Sequence, residues 1–295
     1  MIDVTIPRLS ILFGELGLEH TVIGTAETEM LQTGIPHVTI FGDIEDGTLS
    51  LLGSWEARIP ASAEDEVIAA VGDFNAEVLV PALHYIVDEE DQIVISATRA
   101  MGVAEGLDDA QLAAFLFSSF ASFDAAFAAL ADRFPQHADW EVEAAEEVSD
   151  EEDFVPVLPA VTLERVIAEL AEDDIAAAAD SPGLATAHFN EVDWEFSVDP
   201  GLLVVECILP TELGFDDSSA FLRTVANDKN SVAADGCCAV RDVDGNVELR
   251  GRASAVVAEG MTDEQLFHVL NYAIVAAQDA LLDTLDSFNR RVREL

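Results

Sequence analysis

Basic residues are what this chain most lacks. It holds 13 lysines and arginines against 58 acids, a formal net charge of −45, and Lys229 is its single lysine. A field of that sign repels phosphate backbones and anionic membranes, so non-specific nucleic-acid binding is not expected. The plainest meaning of the charge is solubility or adaptation to salt; the functional alternative is an acidic surface kept for cationic partners. Cysteine is scarce too, with Cys207, Cys237 and Cys238 the only three. Adjacent strand residues point to opposite faces, so Cys237 and Cys238 are badly placed to share a metal and read as small buried hydrophobes. The start, Met1-Ile2-Asp3-Val4, carries no basic leader, and the longest uncharged run in a helical stretch, 110–123, is too short to cross a bilayer. These absences predict a soluble, cytoplasmic protein.

Motifs for chemistry are missing as well. There is no Gly-rich phosphate loop, Cys-x-x-Cys or His-Glu-x-x-His. His20, His37, His84, His137, His188 and His268 are scattered, none at ligand spacing from a Cys, an Asp or a second His. Asp242-x-Asp244-Gly245 resembles part of a calcium loop but lacks the third acid and the closing Glu, and reads as a turn. No catalytic, metal or cofactor-binding residue is therefore assigned. An enzyme would need a constellation that only folding could assemble.

What is present is a repeat. Residues 103–112 (VAEGLDDAQL) and 257–266 (VAEGMTDEQL) agree at seven of ten positions, 154 apart. Each opens a long amphipathic helix. The first carries Leu116, Phe120, Phe123, Phe127, Leu130 and Phe134 on one stripe; the second carries Leu270, Ile274, Ala277, Leu281, Leu285 and Phe288. Thr5 and Thr162 likewise cap two shorter helices, over 6–18 and 161–175, with Arg8 matching Arg165. Three strands are expected after each: near 30–32, 36–43 and 49–59, then near 185–190, 194–198 and 202–209. A second helix follows, near 63–75 and 217–227. A hairpin comes next, turning through 88–91 in the first half and through Asp244-Gly245 in the second, with Arg241 opposite Glu248. The order is helix, three strands, helix, two strands, helix, twice over: an α+β protein of antiparallel sheets packed by helices. The expected domains are 1–135 and 160–295, joined by an acidic, Pro-containing linker over 136–159. Residues 139–153 of that linker hold nine acids and no base, and Trp140 and Phe154 are its candidate anchors.

This order resembles the YbjN family, whose domains are similar to type III secretion chaperones. Asn227, the segment from Val240 to Arg250 (VRDVDGNVELR) and Asp263-Glu264-Gln265-Leu266 carry the likeness. Asn75, the hairpin 86–95 and residues 109–112 carry it more weakly in the first half. The resemblance implies a type III secretion chaperone-like fold, no catalytic residues and a regulatory or protein-binding role. Because chaperones of that fold act as dimers, tandem copies imply an intramolecular pseudo-dimer, with homo-oligomers also open.

One asymmetry suggests a surface. Nine of the thirteen bases lie in the second half, and strand alternation puts Arg241, Arg250 and Arg252 on one sheet face; at the shared offset the first half has Val87, Ser96 and Thr98 there. The simple expectation is solvated charges paired with local acids such as Glu248. The sharper one is a patch that receives the acidic linker or an acidic partner peptide. The function expected is thus non-enzymatic: a chaperone-like or sensory regulator binding a partner segment. The alternative is a small-ligand sensor with its pocket between the two domains, which an apolar cavity with few polar groups would favour.

Overall fold

In the computed structural model, residues 2–25, 28–138, 158–199, 201–233 and 236–294 are described. Most of the acidic segment, with Trp140 and Phe154, falls outside them.

The first half runs α1 (Ile6–Glu15), β1 (Thr21–Ile23), β2 (Met30–Ile35), β3 (Val38–Glu45), β4 (Thr48–Trp55), β5 (Ile59–Pro60), α2 (Glu64–Glu77), β6 (Ala82–Val87), β7 (Gln92–Gly102) and α3 (Asp109–Arg133). The second runs α4 (Leu163–Glu172), β8 (Ala177–Ser181), β9 (Leu184–Phe189), β10 (Val192–Asp199), β11 (Leu202–Gly214), α5 (Phe215–Asn230), β12 (Cys237–Val243), β13 (Asn246–Val256) and α6 (Asp263–Glu294). The expected order needs two corrections, the first being that the single strand expected over 49–59 breaks into β4 and β5. A further edge strand precedes the expected three in each half, β1 and β8. Both are short and mostly exposed, so no alternation of apolar residues betrays them.

Two antiparallel sheets result, ordered β6-β7-β4-β3-β2-β1 and β12-β13-β11-β10-β9-β8. The short β5 also pairs with β7, as Ile59 opposite Ile93, continuing the ladder after β4 bends away at 56–58. The long β11 does the same work along β13 with a register shift between Pro210 and Gly214.

Each long helix lays its apolar stripe on its own sheet. By length and composition α3 could cross a membrane; here Phe115, Leu116, Phe123 and Phe127 are buried, and Trp55 stacks on Phe127 at 6.1 Å between ring centres. The two helices meet their sheets in different ways. Phe123 of α3 faces Gly53, where an added Cβ would lie 3.1 Å from its ring. At the same place in α6 stands Ala277, and β13 moves in: a Cβ on Gly251 would lie 2.0 Å from the Ala277 carbonyl oxygen. Cys207, Cys237 and Cys238 are buried free thiols, and burial pushes each pKa up to about 12.

Candidate functional site between the two halves

Polar residues that each half uses internally also reach across to the other. Asp108 and Gln111 form a reciprocal cap on α3, and Thr262 and Gln265 do so on α6. Their amides then cross. Gln111 Nε2 donates to the Gly260 carbonyl at 2.8 Å and Gln265 Nε2 to the Gly106 carbonyl at 3.0 Å, while the two amides bond each other at 3.0 and 3.2 Å. Gly106 and Gly260 have φ of +72° and +75°, and an added Cβ would lie 2.6 Å from a neighbouring carbonyl oxygen in both cases. The same two residues of the repeated motif thus meet as in a two-fold dimer.

Asparagines guard the hairpin edges. Asn75 closes on Leu83 N–H and C=O at 2.9 and 2.8 Å, and Asn230 on Cys238 at 2.9 and 3.1 Å. The structural counterpart of Asn75 is therefore Asn230. Asn227, which the sequence pairs with Asn75, instead spans the halves and closes on Tyr85 N–H and C=O at 2.8 and 3.0 Å. These amides occupy backbone groups that an open edge would offer to another strand. Burial, with Glu64 nearby, raises the Tyr85 pKa.

Between the halves lies a cavity of about 180 Å3. Glu105 and Leu107 come from the loop before α3, while Met261, His268, Val269 and Tyr272 come from the start of α6 and the turn before it. His268 Nε2 lies 3.1 Å from Glu105 Oε1, an acid–imidazole pair made across the halves, with the imidazole about half exposed. Gly102 leaves room for Tyr272: a Cβ there would touch the ring at 3.3 Å. The positions 154 residues away carry other chemistry: Val256 for Gly102, Ala114 for His268, Phe115 for Val269 and Ser118 for Tyr272. The imidazole and the phenol thus occur on one side only. Among the described residues no group of three or more His, Cys, Asp or Glu is placed to hold a metal ion.

Residues 8–132 match the model of the YbjN family, described as "Putative bacterial sensory transduction regulator". That match covers the first half of the chain. The chain is also similar to the structure described as "Crystal structure of YbjN, a putative transcription regulator from E. coli", at 15% identity and a TM-score of 0.40, covering 46% of this chain and 96% of that one. The "di-domain ARO/CYC StfQ from the steffimycin biosynthetic pathway" is similar at 12% identity and a TM-score of 0.15, covering 94% and 89%. No curated protein matches.

The YbjN match takes in the Glu105 wall of the cavity and ends before the His268 wall. It also ends before the arginine face, which is not open. Arg250 bonds Glu248 at 2.7 Å, Glu195 at 2.8 Å and Glu206 at 3.2 Å, and Arg252 bonds Glu206 at 2.6 Å. Their side chains are 13% and 5% exposed, and Arg252 also donates to the Asn75 carbonyl at the end of α2 in the other half. Burial by itself would lower the Arg250 pKa, but Glu248, Glu206 and Glu195 hold it above its ordinary value. Arg241 sits opposite Glu248 in the ladder, as expected, yet the Glu248 carboxylate is taken by Arg250. The first hairpin is one residue longer, so Ile86, not Val87, occupies the place of Arg241. Of the three arginines only Arg241 is clear of this pairing; it is half-buried at the end of the hairpin.

Sequence reasoning missed His268. Its partner Glu105 is 163 residues away, outside any local spacing rule. The available signal was the asymmetry between copies, His268 against Ala114 and Tyr272 against Ser118.

Proposed function

We propose that this chain is a non-enzymatic regulator, built as two tandem copies of one domain, that senses a small ligand in the cavity between them. The observation that carries the reading is the 180 Å3 cavity, walled by apolar Leu107, Met261 and Val269 and bordered by the Glu105–His268 pair. A cavity of about 150 Å3 accepts benzene, and drug-sized sites begin near 300 Å3, so the ligand is a compact molecule of roughly ten non-hydrogen atoms or fewer. Because both halves contribute walls, occupancy favours their closed arrangement, and a partner protein that reads this arrangement receives the signal. Partner capture on the arginine face is the weaker reading, since Arg250 and Arg252 are already held by internal acids.

A thermal-shift screen of small metabolites tests the proposal on the full chain, run beside Ala104→Trp. Ala104 is exposed and lines the cavity, so the indole plugs the mouth without entering the core. Ligands that stabilise the wild type and leave the plugged variant unmoved support a sensor. Ligands that stabilise both equally place binding elsewhere and refute it.

A further inference from the structure

The chain reverses direction after α1. Gly17, with φ of +73°, ends the helix; its N–H bonds the Gly14 carbonyl at 3.2 Å, and Leu18 N–H bonds the Phe13 carbonyl at 2.8 Å. Residues 18–20 therefore run back beside the helix, and His20 lands against Ser10. Its Nδ1 lies 3.0 Å from the Leu18 carbonyl oxygen and its Nε2 lies 2.8 Å from Ser10 Oγ. A carbonyl only accepts, so Nδ1 carries the proton, and Nε2 offers its lone pair to the Ser10 hydroxyl, which donates. Phe13 meets the imidazole edge-on at 5.6 Å between ring centres. Thr33 Oγ1 donates to the Glu19 carbonyl at 2.7 Å and ties the returning chain to β2.

The second half makes the same reversal without this pair. Ile175 N–H bonds the Leu170 carbonyl at 2.9 Å, and Asp174, with φ of +59°, stands in the place of Gly17. Counted from the matched caps Thr5 and Thr162, Ser10 becomes Ile167 and His20 becomes Ala177. The turn needs neither the hydroxyl nor the imidazole, so they have another use. A hydroxyl bonded to an imidazole that a third group orients is the arrangement that makes serine a nucleophile.

We propose that Ser10 accepts the acyl group of an uncharged activated ester, thioesters included, with His20 as its general base. Ser10 Oγ attacks the carbonyl carbon as its proton passes to His20 Nε2. The new C–O bond forms, the bond to the leaving oxygen or sulfur breaks, and the imidazolium gives its proton to that leaving group. The products are an ester on Ser10 and a free alcohol or thiol. One round suffices, so the ester is a covalent mark and no turnover is required. Space and charge select the donor. Ser10 is half-buried, but Gly14, one turn along the same side of α1, is exposed, and a Cβ there would meet nothing within 4 Å, which leaves room for an acyl chain. A net charge of −45 repels anionic donors, and Arg8 on the same helix is already held by Asp109. Neither Ser10 nor His20 lines the cavity between the halves, so the mark is independent of the ligand proposed there.

The test is exposure of the full chain to p-nitrophenyl acetate, followed by peptide mapping in a mass spectrometer. The wild type should gain an acetyl group on Ser10 ahead of every other serine and of Lys229. Ser10→Ala should lose that label. His20→Gln, which keeps a donor for the Leu18 carbonyl but has no base, should slow labelling of Ser10 by about 100-fold or more, the usual worth of a general base. Labelling that spares Ser10, or a Ser10 rate unchanged in His20→Gln, overturns the proposal. Should either variant fail to fold, fragmentation of the labelled wild-type peptide decides: an acetyl group placed on Ser10 keeps the proposal standing, and one placed elsewhere sinks it.

Discussion

The Gln111–Gln265 pair offers the sharpest energetic test of how the halves are joined. Gln265 is 2% exposed; its Oε1 accepts from the Thr262 N–H, and its Nε2 donates to Gly106 O and Gln111 Oε1. Gln265→Leu keeps the bulk but removes the cap and all three crossing bonds. The cap is worth about 1 kcal/mol, and leaving buried polar groups unmatched adds roughly 1–3 kcal/mol, so about 3 kcal/mol in all is expected. Gln111→Leu should cost a similar amount, because it makes the mirrored bond to Gly260. The double variant should cost less than the sum by about 1–3 kcal/mol, since the two amides orphan each other when removed singly. Urea unfolding followed by tryptophan fluorescence reads the cycle. It reports both halves, with Trp55 and Trp194 fully buried, one in each sheet. Additivity within about 0.5 kcal/mol would refute the reciprocal bond. So would two transitions of which each single variant moves only one.

Two further predictions follow from single residues. His84 is 6% exposed with Nδ1 unpartnered, and burial lowers its pKa to about 4, so it is folded in as the neutral base. Between about pH 6.5 and 4 the unfolded chain takes up a proton that the folded chain refuses; stability therefore falls across that window as pH drops, by about 3 kcal/mol, and the contribution is level outside it. His84→Leu should flatten that part of the wild-type pH–stability curve, and an unchanged slope would refute the assignment. Gly251→Ala forces a Cβ to 2.0 Å from the Ala277 carbonyl and 2.9 Å from Leu281 Cβ, neither of which is a flexible chain end. It should cost about 3 kcal/mol or more by denaturant midpoint, and a loss below about 1 kcal/mol would mean that α6 can retreat from the sheet.

How much of this was legible depended on distance along the chain. The 3.6-residue stripes of α3 and α6, the Thr caps of α1 and α4, and the Asp244-Gly245 turn are local, and each lies where its pattern puts it. The strands β1 and β8 were not legible, because exposed edges need no apolar alternation, and Ala177-Ala178-Ala179 has no strand preference to offer. Gln111 and Gln265 stood out as repeated letters, but their crossing bonds depend on how the halves dock. Arg250 and Arg252 do share a face, as alternation requires. What alternation could not supply was Glu195 and Glu206, which the neighbouring strands bring beside them.

The central claim is that one ligand binds between the halves of this chain. The measurement that tests it most directly is calorimetric titration of a ligand found by thermal shift, on the wild type and on Ala104→Trp. The account predicts one site per chain, lost in Ala104→Trp, because the Glu105–His268–Tyr272 chemistry exists on one side only. Two equal sites per chain would contradict it by placing binding within each half, and one site that survives the plug would contradict it by placing binding outside this cavity.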